Sequence, residues 1–271
     1  MRDEKDWAAK AALADAKGNT ALMVAARKGE AAKVAKLLPW SKPDEINVDG
    51  QTALMLACKK GRAECAKLLA PASDVNRLDI LGDTALIWAL RAGSDACART
   101  LLDDPRTNVS QQGSHRHSAL IEAIRAAGKD GDQALVREIF LRGDASALMA
   151  RGSKSTALMC AAYEGSLECV ALMASACDPK TTDIGGASAI DLAARCGHWE
   201  CVDFLAHRSD PERVEKYFKQ GGSAKMPLWA SRHAREEARQ IWAGLDLAEG
   251  DNKGNEGGAD SRSTRDAPRR I

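Results

Sequence analysis

Thr52-Ala53-Leu54-Met55-Leu56-Ala57-Cys58-Lys59-Lys60-Gly61 is the stretch on which the reading of the chain turns. It reads as one short helix closed by a glycine that can take the left-handed backbone. Its opening recurs as Thr20-Ala21-Leu22-Met23, Thr84-Ala85-Leu86-Ile87, Ser118-Ala119-Leu120-Ile121, Thr156-Ala157-Leu158-Met159 and Ser188-Ala189-Ile190-Asp191. Successive copies start 32, 32, 34, 38 and 32 residues apart, too regular a spacing for chance.

Each copy continues in the same way. A turn signal precedes it, as in Asn47-Val48-Asp49-Gly50-Gln51 or Asp79-Ile80-Leu81-Gly82-Asp83. Nine residues after the Thr or Ser comes Gly29, Gly61, Gly93, Gly165 or Gly197, and a second apolar-periodic segment follows, as in Val34 to Leu38 and Val202 to Leu205. The unit is turn, short helix, glycine stop, second helix. Only the fourth departs, with its turn at Gly113 to His117 and its glycine displaced to Gly131. Residues 126 to 130 are read as lengthening its first helix or bulging its exit, so repeat 4 is the expected weak joint.

Composition agrees with thin stacked helices. Aromatic residues make up 4% of the 271 positions while the apolar share is 45%, so Ala, Leu and Met must fill the helix contacts. Lys and Arg number 39 against 38 Asp and Glu. That balance argues against a polycation that blankets nucleic acid or membrane. No stretch approaches the roughly 18 apolar residues of a membrane span. The opening Met1 to Asp6 has no apolar signal region, so a cytoplasmic or nuclear location is expected.

The repeated unit resembles the ankyrin repeat, whose pattern runs from a Gly-x-Thr turn through Pro-Leu-His, an Ala-Ala pair, a Gly, a Val and a Leu-Leu pair. Residues 52 to 69, 156 to 170 and 188 to 205 follow it closely, and the resemblance covers about residues 15 to 208 in six units. It implies an all-α ankyrin-repeat helical solenoid that binds protein partners and is not an enzyme. In every copy the family's Pro is replaced by Ala, and its His by Met23, Met55, Ile87, Ile121, Met159 or Asp191. The inter-turn hydrogen bonds of that His are therefore expected to be missing, leaving the turns less rigidly tied.

Flanking segments are expected to close the stack. Residues 1 to 14 read as an N-terminal capping helix bearing Trp7, and residues 209 to 248 as C-terminal capping helices with Tyr217, Phe218, Trp229 and Trp242. From 249 to 271 almost nothing can be buried, which predicts a disordered tail.

Chemical motifs are sparse. Cys65, Cys97, Cys169 and Cys201 stand at the same place in four units, and stacked helices about 8 to 10 Å apart keep equivalent positions beyond disulfide reach. They read as small buried thiols. His115 and His117 alternate on the fourth turn without a third metal ligand, and no phosphate loop, nucleophile elbow or zinc-protease motif is present. No catalytic residue, metal or cofactor is assigned.

A charge row is the sharpest signal. Seven residues after each Thr or Ser stand Arg27, Lys59, Arg91, Arg125, Tyr163 and Arg195, with Lys28 and Lys60 beside the first two. Helical geometry turns this position away from the core. Such cations also complement the helix dipole, which is the competing explanation of the row. Resemblance to the family implies that this face lines the concave, partner-binding surface together with turn tips at Lys17, Asn19, Asp49, Gln51, Asp83, His115 and His117. The expected partner is a protein with an acidic or phosphorylated segment, bound by a monomeric adaptor or scaffold. Alternatives are a regulatory or effector protein whose C-terminal helices carry a separate activity, and nucleic-acid binding, for which the row lacks interleaved stacking aromatics.

Overall fold

Every first helix starts on a side-chain cap. Thr20, Thr52, Thr84, Ser118 and Thr156 sit in extended backbone and accept the amide of the residue three positions on, at 3.2 to 3.4 Å. These caps satisfy donors that a helix N-terminus otherwise leaves unpaired. The methionines close the cap in the other direction: the Met23, Met55 and Met159 sulfurs accept the Thr20, Thr52 and Thr156 amides at 3.4, 3.5 and 3.5 Å. In the sixth unit Asp191 does this with a carboxylate, taking the Ser188 amide and hydroxyl at 2.7 Å each. In four of the six units the residue in the family's His position is thus a capping partner and not packing alone, while Ile87 and Ile121 are buried and apolar.

The computed structural model describes residues 13–113, 117–128, 132–143, 155–206 and 208–209. The expected capping helices, the tail, Gly131 and His115 lie outside the described residues. Within them, twelve α-helices form six pairs: α1 Ala21–Lys28 with α2 Ala31–Leu37, α3 Ala53–Lys59 with α4 Ala63–Leu69, α5 Ala85–Arg91 with α6 Asp95–Leu102, α7 Ala119–Ala127 with α8 Gln133–Arg142, α9 Ala157–Glu164 with α10 Leu167–Met173, and α11 Ala189–Cys196 with α12 Trp199–Ala206. Gly29, Gly61, Gly93, Gly165 and Gly197 end the first helices with φ between 63° and 83°. The fourth pair differs from expectation, because α7 stops at Gly128, φ 52°, ten residues after Ser118.

First helices stack in one layer, α1 on α3 and so on to α11, and second helices form a layer behind them. Alanine makes the close stacking possible: Ala26, Ala57, Ala89, Ala161, Ala162 and Ala193 are wholly buried between neighbours. Leucine and methionine fill the space between layers, and Leu22, Met23, Leu54, Met55, Leu86 and Ile87 are almost fully covered. A buried Leu contributes about 2 kcal/mol and an Ala methyl under about 1. A pair of helices of 7 to 10 residues is therefore stable only through its neighbours.

The second layer parts once. The α2, α4 and α6 helices pack in series, as do α8, α10 and α12, but α6 and α8 make no comparable contact. Arg99 pairs with Asp132 across that gap and Arg142 donates to the Leu102 carbonyl. The change of register falls in the fourth unit, where the interval between motif copies begins to lengthen.

The turns are tied more firmly than the missing His led one to expect. Val48 N–H donates to the Lys17 carbonyl at 3.0 Å and Ile80 N–H to the Asp49 carbonyl at 3.2 Å. Asn47 Nδ2 adds a buried bond to Asn19 Oδ1 at 2.9 Å. Backbone approach of this kind requires glycine at Gly50: a Cβ there would stand 2.8 Å from the Ile80 nitrogen, on a residue with φ 72°. Gly82 shares the left-handed backbone, φ 82°, but faces open space. Gly82→Ala should therefore cost about 1–2 kcal/mol for the backbone alone, and Gly50→Ala about 1 kcal/mol more because the third turn must move. Urea denaturation of the two variants checks this ranking, and equal losses contradict it.

Candidate partner-binding face

Arg27, Lys28, Lys60, Arg125, Tyr163 and Arg195 are exposed on the solvent side of the first-helix layer, as helical periodicity requires. Lys59 and Arg91 are half-buried, and each has a definite partner. The Lys59 ammonium lies 4.0 Å from the centroid of the Trp88 ring, and the Arg91 guanidinium 5.3 Å from it. Trp88 is oriented by its indole N–H, which donates to Asp79 Oδ2 at 3.0 Å. An aromatic face attracts cations through its quadrupole, so Trp88 gathers two members of the row.

Arg91 is the centre of an ion cluster. It reaches Asp83 at 2.7 Å in its own unit and Glu122 at 3.1 Å in the next. Asp83 is 0% exposed and Glu122 4%, so both carboxylates depend on these partners. Glu122 also meets Arg125 at 3.7 Å and His117 Nδ1 at 3.3 Å. Burial by itself lowers the Arg91 pKa, but its hydrogen bonds to Asp83 and Glu122 outweigh that and hold it above the usual value. The cluster clasps α5 to α7 on the side opposite the gap between α6 and α8.

A groove of about 900 Å³ opens beside the clasp, floored by Leu90 and walled by Arg91, His117, Glu122, Arg125 and Glu164. Its walls carry both signs of charge. The row is therefore not uniformly basic: cations dominate in units one and two, carboxylates compensate them in units three and four, and unit five has Tyr163 and Glu164 instead. Sequence periodicity placed the cations correctly but could not show Glu122, which stands one turn earlier on α7.

The turns divide in a similar way. Lys17 and Asp49 are exposed at tips, whereas Asn19, Gln51 and Asp83 are buried and are not tip residues. Each immediately precedes a helix cap, where the chain turns inward. Asn19 donates to Asp15 at 2.9 Å and accepts from Asn47, and Asp83 is committed to Arg91. What projects instead is apolar: Val48, Ile80, Leu81 and Ile184 are all more than half exposed. Val48, Ile80 and Ile184 each stand four residues before their Thr or Ser, a regularity visible in the sequence. Their spacing in adjacent turns follows the stack, about 10 Å per unit.

The ankyrin-repeat model, described as three copies, matches residues 22–113 and 120–215. The chain belongs to the ankyrin repeat family. Such repeats are generally protein–protein interaction modules and typically non-catalytic. A solved chain from the complex of Bd0816, a predatory endopeptidase of Bdellovibrio bacteriovorus, with the immunity protein Bd3460 shares the fold, with TM-score 0.60 and 21% identity over 72% of this chain and 100% of that one. The ankyrin repeat domain of Bcl-3, a member of the IkappaB protein family, is similar at TM-score 0.60 and 25% identity, over 72% of this chain and 88% of that one. No curated protein matches the chain. Among the described residues no helix is long and apolar enough to cross a membrane, and no group of three or more His, Cys, Asp or Glu could hold a metal ion.

Removing the Glu122 carboxylate tests whether the clasp is structural. Glu122→Ala strips Arg91 and Arg125 of a shared partner and should lower stability by about 1–3 kcal/mol. Arg195→Ala at an exposed site of the same row should change it by no more than about 0.5 kcal/mol. Chemical denaturation monitored by circular dichroism distinguishes the two.

Proposed function

We propose that this ankyrin stack is a non-catalytic adaptor or scaffold that holds a protein partner across the solvent face of the first helices and the turn tips. Units one to three supply the contact, with Arg27, Lys28 and Lys60 facing an acidic or phosphorylated segment and Val48, Ile80 and Leu81 taking its apolar side chains. The supporting observation is the division of the basic row. Arg27, Lys28 and Lys60 have no ion-pair partner among the described residues, while Arg91 and Arg125 already hold Glu122. A cation committed to a buried carboxylate offers little attraction to an incoming anion, and an exposed one offers attraction that salt screens.

An apolar row beside a cationic floor is consistent with a protein ligand rather than a nucleic acid. Single-stranded nucleic acid sites interleave cations with exposed stacking aromatics. Here Trp88 is covered by Lys59 and the tips are aliphatic. The similarly folded chain found in a complex of an endopeptidase with an immunity protein supports a two-protein assembly as the setting for such a stack.

Charge reversal at the three exposed cations, Arg27→Glu, Lys28→Glu and Lys60→Glu together, should leave the circular dichroism spectrum and unfolding midpoint unchanged. Affinity for a partner recovered by purification of the full chain should fall about tenfold at low salt, and the difference should shrink as salt rises. Unchanged affinity with an intact fold removes the basic floor from the interface and favours an activity carried by the C-terminal segment.

A further inference from the structure

Eight residues after each Thr or Ser, beside the charge row, the six units carry Lys28, Lys60, Ala92, Ala126, Glu164 and Cys196. From unit one to unit five the order is cation, cation, methyl, methyl, carboxylate. Ala92 and Ala126 line the groove beside the clasp without filling it, and Glu164, half-buried at the end of α9, forms one of its walls. Unit five is also the one place where the row itself holds no cation, because Tyr163 stands there, 54% exposed.

The charges around the groove do not cancel. Arg91 and Arg125 are both engaged with Glu122, and Arg91 reaches Asp83 as well. Glu164 has no ion-pair partner among the described residues. Apart from His117, two guanidiniums thus stand against the three carboxylates of Asp83, Glu122 and Glu164, a net charge of −1 whose unpaired share lies at Glu164. A carboxylate beside apolar Leu90, Ala92 and Ala126 suits a long cationic side chain, whose methylene stem covers the floor while its head reaches the charge. The volume of about 900 Å³ leaves room for it. An incoming anion would meet Glu122 and Glu164, with both guanidiniums already engaged.

We propose that this groove is a subsite for one arginine or lysine side chain of a bound protein segment, and that Glu164 selects it. This role rests on the partner-binding reading of the first-helix face and adds a polarity to it. The segment lays its acidic part over Lys28 and Lys60 and its basic residue against Glu164. Three units separate Lys60 from Glu164, about 30 Å at about 10 Å per unit. An extended chain covers that distance in about nine residues.

Amide NMR spectra of the full chain test the subsite independently of the basic floor, in titrations with acetyl-arginine amide and with its uncharged isostere acetyl-citrulline amide. The arginine probe alone should give saturable shifts at Leu90 to Gly93, Glu122 to Ala126 and Tyr163 to Gly165. Glu164→Gln should abolish them and leave the rest of the spectrum unchanged. Should that variant fail to fold, the contrast between the two probes on the wild-type chain decides. Equal responses to the two probes, including none to either, overturn the proposal, as do shifts that persist in Glu164→Gln. Polarity is tested with a peptide that carries an oligoglutamate end, a flexible spacer of about nine residues and one arginine. It should bind about fivefold more tightly than its citrulline counterpart, and equal affinities on the wild-type chain contradict the polarity. The chain carrying Arg27→Glu, Lys28→Glu and Lys60→Glu should lose affinity for both peptides yet keep its response to acetyl-arginine amide, so a failure of the floor and a failure of the groove are read separately.

Discussion

The stack depends on close contact between alanine-lined first helices, because no unit can bury enough surface by itself. Helices of 7 to 10 residues are too short to stand alone in water. Capping at Thr20, Thr52, Thr84, Ser118 and Thr156 fixes where each begins, and glycine fixes where it ends, so consecutive units present the same small-residue surface to one another. That surface lets Ala26, Ala57 and Ala89 sit wholly inside the stack. It also explains why aromatics are scarce: a bulky ring at these positions would push neighbours beyond contact distance. Caps, spacing and composition are consequences of one packing constraint.

Where that packing weakens, charge takes over. The second-helix layer parts between α6 and α8, and at the same boundary Arg91, Arg125 and His117 converge on buried Glu122. A pair of this kind is costly to assemble and costlier to break from one side, so it fixes geometry more than it adds net stability. It also shapes the solvent face of the first helices, since a guanidinium engaged with Asp83 and Glu122 is withdrawn from any incoming anion. The free energy of the boundary and the distribution of available charge are therefore coupled through the same residues.

Much of this was legible in the residues, and what was not has definite causes. The period, the glycine stops and the outward direction of the basic row follow from helical geometry acting on a repeated motif. Glu122 is not legible in a stripe taken one position per unit, because it stands three residues before Arg125 and its partner Arg91 sits on the preceding unit. Asn19, Gln51 and Asp83 were expected at tips, but the residue before a cap turns inward and takes its polar group with it. The Met capping bonds are not legible in a comparison with the family's His, which bears on bonds between turns and not within them, whereas a carboxylate at Asp191 already suits a capping role.

The central claim is that nearest-neighbour packing holds two blocks of three units, joined by the Arg91–Glu122 clasp. Native-state hydrogen exchange across the helices tests it most directly. The account predicts that amides of α1 to α6 and of α7 to α12 exchange as two separately cooperative groups, with α6 and α8 less protected than α4 or α10 because each lacks a neighbour on one side. A single exchange free energy shared by all twelve described helices, with α8 protected as well as α4, would contradict it.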